Sequence, residues 1–252
     1  MRRITSKNPA AAAFATAIDG TRPEIDLPAD LCLVLGGDGT MLHAMHEHGS
    51  GPAYLGFNFG FLGFLMNDLD PRDPLDHARR VLRERSWREH RFPRLTMHAQ
   101  TTAGSASGLA VNDVCVERDS GTACHLRVSI DGIQLADRVV CDGMIVATSL
   151  GSTAYSFSAG GAAAHPLIHA IHLTTICPHA PRLAPLVLPP LSVVHIEVLD
   201  ADRRPARAVV DGEATAGLRT IEVSTSPADD VRLAYFDTHD FTGTLVRKVL
   251  RM

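Results

Sequence analysis

Gly36-Gly37-Asp38-Gly39-Thr40 sets one carboxylate among three glycines, directly after the apolar run Leu31-Cys32-Leu33-Val34-Leu35. Glycine leaves the main chain bare to a ligand and permits positive φ. A helix starting here would offer free amides to phosphate oxygens, and Asp38 would stand at the carboxyl end of a strand, where α/β folds bind ligands. The plainer reading of this fragment is a tight turn with a capping aspartate. A second feature, Asn112-Asp113, lies between Val111 and Val114. Amides and carboxylates are costly to bury unpaired, so this pair either contacts a ligand, such as a purine edge or ribose hydroxyl, or forms an Asx turn between strands. The third feature is Asp142-Gly143-Met144-Ile145-Val146-Ala147-Thr148-Ser149-Leu150-Gly151-Ser152-Thr153-Ala154-Tyr155-Ser156-Phe157-Ser158-Ala159-Gly160-Gly161. A buried-strand pattern opens there into a loop dense in small hydroxyls, with an aromatic inside it. That mixture suits a nucleotide, and a flexible linker would not hold Tyr155 and Phe157.

The elements that must position these groups follow from hydrophobic periodicity. Residues 8–18 have helical composition, 31–35 read as a strand buried on both faces, 40–45 as a helix, 53–57 as a second buried strand and 74–85 as a helix. After Trp87 the pattern changes to short strands at 94–100, 109–118, 124–131, 134–140 and 144–148, continued at 192–199 and 220–224. Helical spacing returns at 241–250. The expected fold is an α/β N-terminal domain followed by a β-rich C-terminal domain: 1–72 with 236–252, and 73–235.

At 252 residues, 45% hydrophobic and 21% charged, the chain can bury a sizeable core and is neither disordered nor fibrous. It has no apolar run long enough to cross a bilayer, and Ala10–Ala13 do not extend into a secretory signal, so no membrane partner is expected. A net charge of −4 argues against a nucleic-acid coat protein. The five cysteines lack CxxC spacing and read as reduced thiols of a cytoplasmic protein. Lysine occurs only at Lys7 and Lys248, which excludes a Walker loop and a protein-kinase strand lysine. Phosphate chemistry would then rest on backbone amides, arginine, histidine and metal. His165, His169 and His172 would share one helix face if that stretch were helical, and His43, His46 and His48 form another cluster. Solvated or interface histidines are the expected reading of both. The run Arg79, Arg80, Arg83, Arg85 and Arg88 reads as a solvated helix face.

In their order and separations, the three glycine-, asparagine- and serine-bearing segments closely resemble the NAD kinases. Leu173–His179, Pro185–Leu188 and Val210-Asp211-Gly212-Glu213 are similar to the same family, and the resemblance covers roughly residues 31 to 252. It implies an NAD kinase-like two-domain fold and transfer of a phosphoryl group from ATP, or polyphosphate, to the 2′-hydroxyl of the adenosine ribose of NAD, giving NADP. It also implies a divalent cation such as Mg²⁺ and a homodimer or homotetramer. Asp38 matches the catalytic aspartate, a base or orienting group for the ribose hydroxyl. The nucleotide site carried over comprises Gly37, Gly39, Asn112, Asp113, His125, Asp142, Thr153, Ala154, Tyr155, Ser158 and Glu213, with Asp142 reaching the dinucleotide of a neighbouring subunit. No metal ligand is assigned. Three positions depart from the family: the segment before Leu31 is short, Val140 stands where some members have Arg or Lys, and His43 stands where Arg or Lys is common.

Other readings start from the same residues. Lipid kinases of the diacylglycerol and sphingosine type share the glycine turn, but usually follow it with Asn-Glu-Val, where this chain has Met41-Leu42-His43, and they lack the Gly-Ser-Thr-Ala-Tyr loop. Phosphofructokinases share part of the glycine turn and little else. A non-catalytic dinucleotide sensor would keep the pocket without turnover, and an assay of NADP formation separates it from an enzyme.

Overall fold

The computed structural model describes residues 2–20, 27–60 and 63–250. The chain divides into two compact units, Met1–Phe92 with Asp229–Met252, and Pro93–Ala228.

The first unit opens with β1 (Arg2–Thr5), α1 (Pro9–Asp19), β2 (Leu31–Gly36), α2 (Asp38–His48), β3 (Ala53–Asn58) and α3 (Pro74–Glu84). Strands β1, β2 and β3 pair in parallel. All six residues of β2 are buried, as a strand covered on both faces requires. Leu31, Leu33 and Leu35 pack with Phe14 and Ile18 of α1 and with Ala78, Val81 and Leu82 of α3. Both helices start as capping chemistry dictates. Asn8 and Asp73 accept from the amides of Ala10 and Asp76, and a proline occupies the first turn of each. A strand-helix unit thus forms within the short segment before Leu31. Its strand, Arg-Arg-Ile-Thr, is too brief and polar to announce itself.

The second unit is built of antiparallel strands. These are β4 (Trp87–Thr101), whose first residues belong to the first unit, β5 (Gly104–Ala110), β6 (Asp113–Arg118), β7 (Cys124–Ile130), β8 (Ile133–Cys141) and β9 (Gly143–Thr148). After a 3-10 turn and the short α4 (Tyr155–Ser158) come β10 (Ile171–Ile176), β11 (Leu186–Leu188), β12 (Val194–Leu199), β13 (Ala206–Val210) and β14 (Glu213–Thr215). One sheet runs β11-β10-β9-β6-β13-β14, and β12-β7-β8 form part of another. Alternate residues of both, among them Val114, Val146, Leu126, Val139 and Ile196, share a single core. The last strand, β15 (Leu218–Phe236), pairs its first half with β12 and its end with β3, and α5 (Phe241–Leu250) follows.

Three expectations differ in detail. The first unit runs past residue 72 because the apolar face of α3 belongs to its core, and it resumes at Asp229 because Arg232–Ala234 pair with Ala53–Leu55. The single strand expected at 109–118 breaks at Val111-Asn112 into β5 and β6. Residues 165–170 are not helical and His172 lies in β10, so His165, His169 and His172 share no helix face. Among the described residues no helix is long and apolar enough to cross a membrane. The five cysteines are free thiols.

Candidate active site

Asp38 is the first residue of α2, entered from β2 through Gly37. Its carboxylate accepts the amides of Phe64 at 3.0 Å and Leu65 at 3.1 Å, so both oxygens are fixed by main chain. A Cβ on Gly63 would stand 2.1 Å from Asp38 Oδ1, which is why the chain can fold over the carboxylate there. The loop is itself anchored. Tyr235, buried in β15, donates to the Phe64 carbonyl at 2.7 Å. Buried Asn67 donates to the carbonyls of Gly56 and Ala234 and accepts the Phe236 amide.

The glycines of the turn act through space rather than through φ, for none of Gly36, Gly37 and Gly39 has a positive φ. A Cβ on Gly36 would meet Thr40 Oγ1 at 2.3 Å, whereas one on exposed Gly39 would meet nothing within 4 Å. Gly39 therefore leaves open room beside Asp38.

In the second unit Val111 and Asn112 form the bend between β5 and β6, Asp113 opens β6, and Asp211 holds that bend. Its carboxylate accepts the amides of Val111 (2.7 Å), Asn112 (2.9 Å) and Asp113 (3.0 Å). From the other side Thr148 donates its hydroxyl to the Val111 carbonyl at 2.7 Å and its amide to the Asn112 carbonyl at 2.9 Å. The same hydroxyl accepts the Gly151 amide at 3.0 Å. The backbone of Asn112 is thus fully engaged, while among the described residues its side chain makes no hydrogen bond. The next loop contains a second unused group, the buried hydroxyl of Thr153, which has no partner among the described residues. A buried hydroxyl is seldom left so, whereas Asn112 is half-buried, and a polar ligand would give the Thr153 hydroxyl its partner.

Burial, reinforced by the charges of Asp211 and Glu117, pushes the Asp113 carboxyl up from its ordinary value to about 7. The folded chain then holds this proton more tightly than the unfolded chain. The associated stability is present below the unfolded value of 3.8 and is lost as pH rises through about 7. At about 1.4 kcal/mol per pH unit this is a difference on the order of 4 kcal/mol. Asp113→Asn should flatten it: urea midpoints at about pH 5 and about pH 8 should differ less in the variant than in the wild type. Equal differences would mean that Asp113 titrates as an ordinary carboxyl.

Glu117, Arg118, Asp142, Tyr155 and Ile176 line a concave pocket of ≈ 380 Å³. Asp142 follows β8 and pairs with Arg118 Nε at 2.9 Å, so this carboxylate has its partner within the chain. Tyr155 is exposed at the mouth, and Glu117 is held by Arg207 at 2.9 Å. Ala154 precedes Tyr155, and exposed Ser158 closes α4 three residues on.

The remaining predicted residues are His125 and Glu213. His125 on β7 faces Asp200 at 3.4 Å, and Glu213 is exposed on the edge strand β14, two residues beyond Asp211. Sequence reasoning did not place Gly63, Phe64, Leu65, Thr148, Gly151, Glu117, Arg118 or Asp211 among the site residues. A signal existed for the first three in Asn58-Phe59-Gly60-Phe61-Leu62-Gly63, where glycines three apart interrupt an apolar run. Phe61 and Leu62 lie outside the described residues.

Comparison with known proteins places both halves of the chain. Residues 2–85 match the ATP-NAD kinase N-terminal domain and residues 111–230 the ATP-NAD kinase C-terminal domain. An NAD kinase of Cereibacter sphaeroides (strain ATCC 17029 / ATH 2.4.9) is 35% identical over 252 residues, covering 97% of this chain and 96% of that protein. The NAD kinase of Rickettsia bellii (strain OSU 85-389) is 31% identical over 224 residues, covering 87% and 85%. Among solved structures, yeast NADH kinase complexed with NADH superposes with a TM-score of 0.76 at 30% identity over 89% of this chain, which spans 65% of the yeast chain. An NAD kinase from Archaeoglobus fulgidus in complex with ATP shares the fold, with a TM-score of 0.80 at 24% identity over 100% of both chains.

Proposed function

Because the chain belongs to the NAD kinase family, we propose how its own residues carry the transfer of a phosphoryl group from ATP to the 2′-hydroxyl of the adenosine ribose of NAD. The observation that carries this account is the fixed carboxylate of Asp38 beside the open space at Gly39. Phosphoryl transfer through a loose transition state needs a positioned nucleophile and neutralised charge more than covalent help. Asp38 is the base: each oxygen has one lone pair tied to an amide and keeps another for the ribose hydroxyl. The 2′-oxygen bonds to the γ-phosphorus, the bond from that phosphorus to the β–γ bridging oxygen breaks, ADP leaves, and the hydroxyl proton passes to Asp38. The amides at the start of α2, with Gly37 and Gly39 beside them, favour the donor's negative charge.

The second unit supplies the residues for the dinucleotide. The free Asn112 amide and the Asp113 carboxyl take the adenosine end. Thr153, Ala154, Tyr155 and Ser158 form the adenine- and ribose-facing loop, the orphan hydroxyl of Thr153 gaining a partner there. Asp142, oriented by Arg118, contacts the dinucleotide of a neighbouring subunit in a homodimer or homotetramer. His125 and Glu213 are peripheral members of this set. The outward lone pairs of Asp38 also fit a magnesium ion held mainly by the phosphates of ATP, as that ion prefers. When bound, it neutralises charge on the transferring group. Free thiols at all five cysteines suit the cytoplasm.

A coupled assay of NADP formation by the purified chain, with ATP and then polyphosphate as donor, tests the reading. Sedimentation of the same sample tests the oligomer. NADP must appear with ATP. Binding of NAD without turnover would make the chain a sensor instead.

A further inference from the structure

The chain has two lysines, Lys7 and Lys248, and 240 residues between them without one. The fold brings the second back to the catalytic turn. Helix α5 sets Lys248 Nζ 4.9 Å from the centroid of the Phe64 ring, and the amide of that same Phe64 donates to Asp38 Oδ2 at 3.0 Å. Packing anchors the start of the helix. Phe241, at the start of α5, packs edge-on against Tyr235 at 4.7 Å and His239 at 4.5 Å. Tyr235 in turn donates to the Phe64 carbonyl at 2.7 Å. One buried tyrosine therefore ties α5 and the loop over Asp38 together.

Lys248 is partly buried, yet among the described residues it has neither an ion-pair partner nor a hydrogen bond. Its neighbour Arg247 donates to Thr244, and Arg232 is paired with both Asp30 and Glu89. Burial works against the charge of Lys248, while Asp38 is near enough to favour it. A cation taken partly out of water without a directly paired counter-charge is costly, and an anionic ligand offsets that cost. The aromatic face of Phe64 compensates in part and aims the ammonium without neutralising it.

We infer that Lys248 contacts the terminal phosphate of the phosphoryl donor and stabilises the charge on the transferring group. This rests on the reading of Asp38 as the base, which puts that group beside the glycine turn. Preorganised charge on a transferring phosphoryl group is a large catalytic term. Lysine, as a point charge on a flexible stem, is well suited to it.

The test uses Lys248→Met, which keeps an apolar stem against Phe64, and Lys248→Arg, which keeps the charge. Three quantities are read in each: steady-state constants with ATP and NAD, affinity for an ATP analogue with an imido β–γ bridge, and melting temperature. Lys248→Met should lower kcat by roughly 10²–10³-fold, the usual loss for one preorganised charge-stabilising donor. It should weaken the analogue by about tenfold, equivalent to ~1.4 kcal/mol, and leave the KM for NAD and the melting temperature nearly unchanged. Lys248→Arg should restore most of both losses. A Lys248→Met protein with unaltered kcat and analogue affinity overturns the inference. So does a loss that appears equally in both variants together with a lowered melting temperature, since that marks a packing role. Asp38→Asn assayed in parallel separates the two claims. An active Asp38→Asn protein sinks the base assignment while the analogue affinities still decide on Lys248. An inactive Asp38→Asn protein beside an unaffected Lys248→Met protein sinks the lysine alone.

Discussion

Asp38→Asn is expected to cut turnover by roughly 10²–10⁴-fold, the usual contribution of a general base. The asparagine keeps the shape of the side chain but cannot take the ribose proton. It also presents an NH₂ to one of the two amides, of Phe64 or Leu65, that the carboxylate now satisfies. Leaving one of these donors without an acceptor costs about 1–3 kcal/mol, so the melting temperature should drop by several degrees while the fold persists. Dinucleotide affinity should change little, because the residues proposed to hold NAD lie in the other unit. The measurement is kcat at saturating ATP and NAD, with equilibrium binding of NAD on the same sample. Near wild-type kcat would remove Asp38 from the mechanism and leave it as a helix-start residue that organises the Gly63–Leu65 loop.

The second large effect is expected from Gly151→Ala. A Cβ at this position would lie 2.1 Å from the Asn112 carbonyl oxygen and 2.5 Å from its Cα, both main-chain atoms that cannot rotate away. The bend carrying Asn112 and Asp113 must therefore move, although Asp211 holds it by three amides and Thr148 by two further bonds. Overpacking of this kind costs about 1–3 kcal/mol of stability. The larger consequence is for binding. A shift of the bend misplaces both Asn112 and Asp113, and the KM for NAD should rise by about 100-fold or more, as expected when two polar contacts of 1–2 kcal/mol each are lost. Asn112→Ala serves as the calibrating variant. It deletes one side chain and leaves the bend in place, so it should raise the KM for NAD by only about tenfold and affect kcat less, the mark of an interaction made equally in ground and transition states. If Gly151→Ala binds NAD as the wild type does, the Asn112 bend is a connection between strands and nothing more.

What the sequence determined by itself is local. Leu31–Leu35 is apolar without a break and becomes a strand buried on both faces. The helices at 9–19 and 74–84 begin where Asn8-Pro9 and Asp73-Pro74 supply a cap and a fixed φ. The glycine turn, the Asn-Asp pair and the Ser-Thr-Ala-Tyr loop are legible because the chemistry of each lies within a few consecutive residues. The tertiary structure alone decided which distant groups complete them. Asp38 is gripped by amides 26 and 27 residues away, and the Asn112 bend by a carboxylate 99 residues away. Neither contact leaves a periodic trace, since a backbone amide has no residue type to read. The meaning of the glycines also shifted. Sequence logic assigns them to positive φ or bare backbone, and only the packing of Thr40 and of Asp38 against Gly36 and Gly63 shows that clearance is what they supply. Lys248 is the sharpest case. Counted along the chain it is a terminal lysine remote from every motif. Brought back by β15 and α5, it stands over the ring of Phe64, whose amide donates to Asp38, because only a folded sheet sets the end of a chain against its beginning.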